Sequence, residues 1–414
     1  MIRGKTYTRS TCRLCKSTRL WKAIPLSPLP IASPNVGGAA QVYESAPADV
    51  YQCEDCGFLQ LNTIVDPEFQ YRNFRYVTAI SAGLREHFST LIDTLARQGE
   101  IGPGKFVFDI GSNDGSLLAL VKKHGARVLG IDPAREIAER ASEAGIPTIG
   151  EFFTTAMGRK IASEHGRADV IFSNNTIGNI DDLDDMFGGI AAVLAPNGLL
   201  IIETQYAIDV LEKSLLDVIY HEHISYFSVS PMRRFLAARG LELFDAERIA
   251  PKGGSIRFYV QHRGGPRPVS GRVNELIAAE QRDRGIADKS AFRAFNERVV
   301  ETGSQIRQRL ELSRARTGQA FVYGSSVGCV ALIQYLGLGN MIDAVFDDKP
   351  LTDSVISSTG VIPVLNGREL VEQPATDIAV LAWRYAHDIA ARQAAYRAKG
   401  GRFYRALPDL AFVD

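Results

Sequence analysis

The chain has 414 residues, enough for two or three domains with cores of their own, and its 47 basic residues balance 47 acidic ones. That neutrality offers no electrostatic footprint for a nucleic-acid or anionic-membrane partner. The opening "MIRGKTYTRSTCRLC" holds no apolar signal core, and no stretch reaches the roughly 18 uninterrupted apolar residues of a membrane helix, so the expectation is a soluble, cytoplasmic protein.

In chain order, residues 1–66 carry four of the five cysteines and a proline-rich stretch, "PLSPLPIASP", with little periodicity. From Ser81 to Gln98 the apolar residues Leu84, Phe88, Leu91, Ile92 and Leu95 fall at helical spacing. Strands and helices then alternate. "FVFDIG" (106–111), "RVLGID" (127–132), "ADVIFSNN" (168–175) and "GLLIIETQY" (198–206) are apolar runs, separated by helical stretches such as "SLLALVKKHG" and "REIAERASEAG". Short buried strands divided by helices predict an α/β fold with a parallel, doubly wound sheet. Residues 268–318 predict one or two long polar helices. A smaller α/β unit follows, from "AFVYGSS" (320–326) through "MIDAVFDDKP" and "DIAVLAW" to "GRFYRALP". The expected division is 1–66, 67–267 and 268–414.

Cys12-x-x-Cys15 and Cys53-x-x-Cys56 present two sulfurs per turn, the arrangement that a tetrahedral zinc accepts, and in a reducing compartment such pairs favour metal over disulfide. No histidine lies nearby, so the expected site is a closed, structural one made of four cysteines. Cys329 stands alone as a small core residue.

"FDIGSNDGSLL" runs from strand to D-x-G-x-x-x-G to helix, with Asp109 and Gly111 at the strand end, where a glycine lets the backbone approach a ligand. The G-x-G-x-x-G of a dinucleotide fold is absent. Asp132 closes the second strand about twenty residues on, where a carboxylate accepts ribose hydroxyls. This pair of features resembles the nucleoside pocket of class I S-adenosylmethionine methyltransferases. Asp109, Gly111, Ser112, Asn113, Asp132 and Asn174 are the resulting candidates for cofactor binding.

"VIYHEHISYFS" (218–228) gathers Tyr220, His221, Glu222 and His223 in a chain with only seven histidines. Three uses remain open for it. His221-x-His223 lacks a defined third metal ligand. A polar loop after a strand is also compatible with the composition. The third use is carbon-acid chemistry: a base removes a C–H proton beside a carbonyl while a hydrogen-bond donor holds the enolate oxygen. An imidazole flanked by a tyrosine and a carboxylate suits that task. His221, two residues from His223, is expected to face outward.

The two CxxC pairs, "IGSNDGSLL", "YHEHISYFS", "GGSIRFYV" and the terminal α/β unit resemble, in order, the sugar C-methyltransferases of deoxysugar biosynthesis. That resemblance implies an N-terminal zinc-binding domain, a class I methyltransferase core and a C-terminal Rossmann-like domain. It also implies S-adenosylmethionine as methyl donor and a nucleotide-linked keto sugar as substrate, with a monomer or weak homo-oligomer as the working form. His223 would be the base, with Tyr220 and Glu222 beside it, and "RYVTAISAGLREHF" would put Tyr76 at the sugar. Two positions depart from the family pattern. Asn179 stands where N-x-x-x-H usually ends, and Lys252 stands where a histidine usually precedes "GGS"; both are candidate substrate contacts. The terminal "YGSSVGC" lacks the family's usual lysine. Methylation of another acceptor, a non-sugar keto acid or an oxygen, and a noncatalytic zinc-stapled binding protein remain rival readings.

Overall fold

The computed structural model describes residues 5–31, 45–72, 74, 77–78, 82–282, 289–350 and 352–413; Tyr76 lies outside the described residues. The central sheet has seven strands: β1 (Phe106–Ile110), β2 (Arg127–Ile131), β3 (Thr148–Ile149), β4 (Ala168–Asn174), β5 (Leu194–Gln205), β6 (Leu241–Ile249) and β7 (Ser255–His262). Their spatial order is β3-β2-β1-β4-β5-β7-β6. Successive residues of each strand feed opposite faces. Phe106, Phe108, Ile171, Leu200 and Ile202 enter one core, and Val107, Val170, Phe172, Leu199 and Ile201 enter the other. Both faces are covered, so the strands are apolar throughout rather than alternating.

β1 to β5 run parallel, as the alternating pattern predicts, but β7 is antiparallel to both of its neighbours. The cause is the connection at 250–254. A parallel return needs a crossover of about a dozen residues, and this turn can only reverse the chain.

Near the N-terminus, strands Leu20–Ile24, Val50–Cys53 and Leu59–Leu61 form an antiparallel sheet. Its fourth strand is Ser225–Tyr226, contributed from beyond β5 and paired with Leu59–Leu61. Beyond the helices Gly271–Arg282 and Ser290–Thr317 lies a second seven-stranded sheet. Strands 321–323, 344–347, 360–366, 377–380 and 402–405 are parallel in it, and 354–357 and 412–413 flank them antiparallel. The hairpin of 354–357 with 360–366 has no counterpart in the expected element list.

One hydrophobic cluster joins these parts. It takes Leu59 and Leu61 from the first sheet, Leu211, Val218 and Ile219 from the stretch after β5, and Phe292, Leu332, Ile333 and Leu407 from the C-terminal part. The stretch after β5 is thus packed on both sides. Among the described residues, no helix is long and apolar enough to cross a membrane.

Candidate functional site

The four paired cysteines converge. Their sulfurs all lie within 4.8 Å of one another, with Cys12 to Cys56 and Cys15 to Cys53 each at 3.5 Å. A tetrahedral zinc with sulfur ligands spaces them about 3.8 Å apart, so the donor set fits that ion without rearrangement. Each pair sits on a tight turn. The Lys16 amide donates to the Cys12 carbonyl and the Gly57 amide to the Cys53 carbonyl, and both residues hold positive φ. Four cysteines leave no open coordination position, so a zinc held here is structural.

At the end of β1, the turn 111–115 takes left-handed conformations at Gly111, Asn113 and Gly115. The Asn113 amide donates to one Asp132 oxygen and the Ala134 amide to the other, both at 2.9 Å. Burial raises the Asp132 carboxyl above its ordinary range. Each oxygen retains a lone pair, and Asp132 lines a cavity of about 2280 Å³ together with Gly111, Asn113 and Asn174. Both polar atoms of the Asn174 amide are buried without a partner among the described residues. An uncommitted amide and a carboxylate with free lone pairs, lining one cavity, fit the nucleoside end of the expected cofactor.

Two expected cofactor residues sit behind this wall and do not line the cavity. Asp109 is buried under the turn, where desolvation and the charge of Asp132 push it up to about 8. Ser112 packs against β2: a Cβ on Gly130 would come within 2.3 Å of its hydroxyl. Gly111 is also required for a reason other than ligand approach. A Cβ there would lie 2.1 Å from the Thr176 hydroxyl, on top of the positive φ.

Tyr220, Glu222 and His223 line the same cavity with Asn179 and Lys252. His223 is buried, and its Nδ1–H donates to the Val218 carbonyl at 2.9 Å. That bond assigns the proton to Nδ1 and leaves Nε2 unprotonated, an acceptor. The Tyr220 hydroxyl approaches Nε2 at 3.3 Å, and the Gln205 amide stands 3.4 Å from the ring. Burial, with Lys252 and Arg384 nearby, lowers His223 to about 3, so the imidazole is neutral. Burial raises Tyr220 well above a free phenol and Glu222 to about 7; the charge opposing the Glu222 shift is that of Lys252. Lys252 is lowered to about 8 by burial and by Arg384.

Lys252 holds φ 57 in the turn that reverses β6 into β7. Arg384 donates to the Lys252 carbonyl at 2.7 Å and Lys213 to the Gly253 carbonyl at 2.8 Å. Gly254 leaves no room for a side chain, since a Cβ would lie 2.3 Å from Asp209.

His221 does not face outward. It is buried, with Nε2 3.2 Å from the Pro47 carbonyl. The loop that leads into strand Val50–Cys53 meets this segment, and His221 itself is among the residues that line the cavity. Sequence reasoning missed Gln205, Tyr71, Trp383 and Arg384. Gln205 ends β5, where open sheets place ligands, and that signal was available. Tyr71 donates to the Glu222 carbonyl at 3.1 Å, and Trp383 and Arg384 enter the cavity from the C-terminal part; nothing local in the sequence marks these three.

Residues 12–71 match the family model described as "Putative zinc binding domain", residues 84–246 "Methyltransferase domain" and residues 250–408 "C-methyltransferase C-terminal domain". A C-methyltransferase of Streptomyces niveus, NovU, is 29% identical over 404 residues, 96% of this chain and 95% of that protein. Among solved structures, magnesium protoporphyrin IX methyltransferase from Synechocystis PCC 6803 covers 45% of this chain and 88% of its own at 16% identity and TM-score 0.35. The PH0226 protein of Pyrococcus horikoshii OT3 covers 45% and 94% at 17% identity and TM-score 0.37. With three domain models laid end to end and one relative spanning nearly the whole length, the chain is an S-adenosylmethionine-dependent methyltransferase with the domain order of that C-methyltransferase.

Proposed function

We propose that the protein methylates a carbon alpha to the ketone of a nucleotide-linked keto-deoxysugar, with His223 as the base. The observation that carries this reading is the tautomer of His223: Nδ1–H is committed to Val218, so Nε2 is the unprotonated nitrogen on a residue that lines the cavity, with the Tyr220 hydroxyl as its neighbour. When bound, S-adenosylmethionine supplies an electrophilic methyl group. In this reading Nε2 takes the alpha proton, and the electron pair of the broken C–H bond becomes that of an enolate. The Tyr220 hydroxyl, protonated at neutral pH, is placed to hydrogen-bond the enolate oxygen, and Lys252 adds a positive charge to the same wall. Asn179 is assigned to the substrate because its buried Oδ1 has no partner among the described residues. Tyr76 joins this assignment through the family resemblance.

The nucleotide part of the substrate is supported by the far end of the cavity. There Ser325, Ser326 and the start of helix Val327–Tyr335 line the cavity, and the positive end of a helix suits a phosphate. Thiolate ligation of zinc suits a reducing compartment, and the cytoplasm is the proposed location.

Solvent exchange tests the proposal. With S-adenosylhomocysteine in place of the donor, the wild type should wash deuterium from D₂O into the alpha carbon of a nucleotide-linked keto sugar, and His223→Asn should not. Equal exchange in both would reassign the base. Methyl transfer to a non-sugar keto acid, with none to a panel of keto sugars, would overturn the substrate class.

A further inference from the structure

Arg13 lies between Cys12 and Cys15, inside the turn that gathers half of the sulfurs, and its side chain is fully buried. It points away from the cysteines. Nε donates to Asp181 at 2.8 Å, and Nη1 donates to the Ile224 carbonyl at 2.9 Å. Ile224 directly follows His223. Its carbonyl also accepts from the Leu61 amide at 2.9 Å, and its own amide donates to Gly178, the neighbour of Asn179, at 2.8 Å. The Arg13 amide donates to Gln60, on the strand that pairs with Ser225–Tyr226.

We infer that Arg13 is a positioning residue for methyl transfer, tying the geometry of the four-cysteine turn to the peptide that carries His223. The cysteine turn sets where the Arg13 backbone sits. The guanidinium then spans from that turn to Asp181, two residues past Asn179, and Ile224, one past His223. A buried guanidinium with two directed bonds fixes both position and orientation, which a lysine ammonium cannot reproduce. A metal site that is structural for its own turn thereby also sets the register of the base. The inference rests on the reading of His223 as base.

The test is a cycle of Arg13→Lys and His223→Asn in the full chain, with zinc content and S-adenosylhomocysteine affinity measured for every variant. Arg13→Lys should keep one zinc per chain, bind S-adenosylhomocysteine within about twofold of wild type, and lower kcat by roughly ten- to a hundredfold with little change in KM, the scale of a misplaced reacting group. In the His223→Asn background the same change should cost nothing more, because coupled residues are non-additive. Arg9→Lys, which also loosens Asp181 but does not touch Ile224, is the control and should leave kcat near wild type. A second readout needs no substrate. Imidazole ¹⁵N spectra at neutral pH should show His223 as the Nδ1–H tautomer in wild type and Arg9→Lys, and that signal should shift or broaden in Arg13→Lys. Unchanged kcat and spectrum in Arg13→Lys would overturn the inference, as would full additivity with His223→Asn. Loss of zinc or of cofactor affinity in step with kcat would reduce Arg13 to a folding role. If His223→Asn alone keeps wild-type turnover, the reading of the base fails, and the spectrum still decides whether Arg13 positions that peptide.

Discussion

Arg384 donates to the carbonyl of Lys252 at 2.7 Å while the same guanidinium pairs with Asp217. Trp383 adds a third bond, from its indole N–H to Asp217 at 3.1 Å. Asp217 lies three residues before Tyr220, so one C-terminal side chain ties the turn that carries Lys252 to the segment that carries Tyr220, Glu222 and His223. Removing it leaves the buried Asp217 carboxylate with the indole as its remaining partner from this group. Arg384→Ala should cost about 1–3 kcal/mol in urea unfolding, the usual scale for stranding a buried charged acceptor. It should lower kcat with S-adenosylmethionine affinity retained, because no residue of the 111–115 turn touches it. Calorimetry showing a parallel loss of cofactor binding would contradict that separation.

Cofactor affinity should depend on Asp132. Its oxygens hold the Asn113 and Ala134 amides and also face the cavity, so the carboxylate both shapes the turn and meets the ligand. Asp132→Ala should weaken S-adenosylmethionine binding by about 1.5–3 kcal/mol. Asp132→Asn, which keeps one acceptor, should lose less. Unchanged affinity in a titration of either variant would place the ribose partner elsewhere.

Asp109 leads to a prediction of pH dependence. Its folded pKa of about 8 lies above the unfolded value of about 3.9. The folded state therefore binds this proton more tightly. The stabilisation is fully present below about pH 4, and it is lost as pH rises through 8. Replacing the carboxyl with an amide removes that loss. In urea unfolding of the cofactor-free protein, Asp109→Asn should gain on the wild type progressively between about pH 4 and pH 8 and level off above that. A difference that does not vary with pH would mean the carboxyl is already ionised in the folded state.

How much of this was legible in the sequence depended on the range of the signal. β1, β2 and β4 are short apolar runs bounded by turns, and helix 290–317 is one long polar periodicity; local pattern suffices for both. Cys12, Cys15, Cys53 and Cys56 announce themselves by spacing, and Asp132 by its distance from the glycine turn. The antiparallel β7 was hidden because an apolar strand looks the same in either direction, and only the length of the connection betrays it. Arg384 could not be found at all. It sits 132 residues beyond Lys252 and 167 beyond Asp217, and the chain around it carries no motif. His221 misled for a related reason. Residues 220–224 form no strand, so alternation does not separate it from His223; both line the cavity, and the Pro47 carbonyl, from the other end of the chain, meets its Nε2.

The zinc expectation is tested by metal analysis of freshly purified, reduced protein, which should find one ion per chain. A structural zinc site contributes its binding free energy to folding. Cys53→Ser should therefore destabilise the N-terminal sheet far more than Cys329→Ser, whose thiol is buried in the C-terminal core with Ser326 as partner. The effect should reach the site as well, because Ser225–Tyr226 is a strand of that sheet.

The last prediction concerns the charge pair on the cavity wall. Burial brings Glu222 up to about 7 and Lys252 down to about 8, while His223, at about 3, stays neutral across this range. Between pH 7 and 8 the wall thus carries a carboxylate and an ammonium together, and the two apparent values belong to the pair. If turnover needs both charges, kcat should peak in that window. It should fall on the acid side as Glu222 takes up a proton and on the alkaline side as Lys252 loses one. Lys252→Met should lower kcat, and the pH profile of the residual activity separates the limbs. Removing the ammonium abolishes the alkaline limb. It also takes away the charge that holds Glu222 down, so the acid limb should move to higher pH. The same loss relieves His223, whose imidazole titration, followed by NMR, should rise from about 3. His223→Asn, by contrast, should cost about 10²–10⁴ in rate without moving either limb. An alkaline limb that persists in Lys252→Met would assign it to another group, with Tyr220 the nearest phenol to His223.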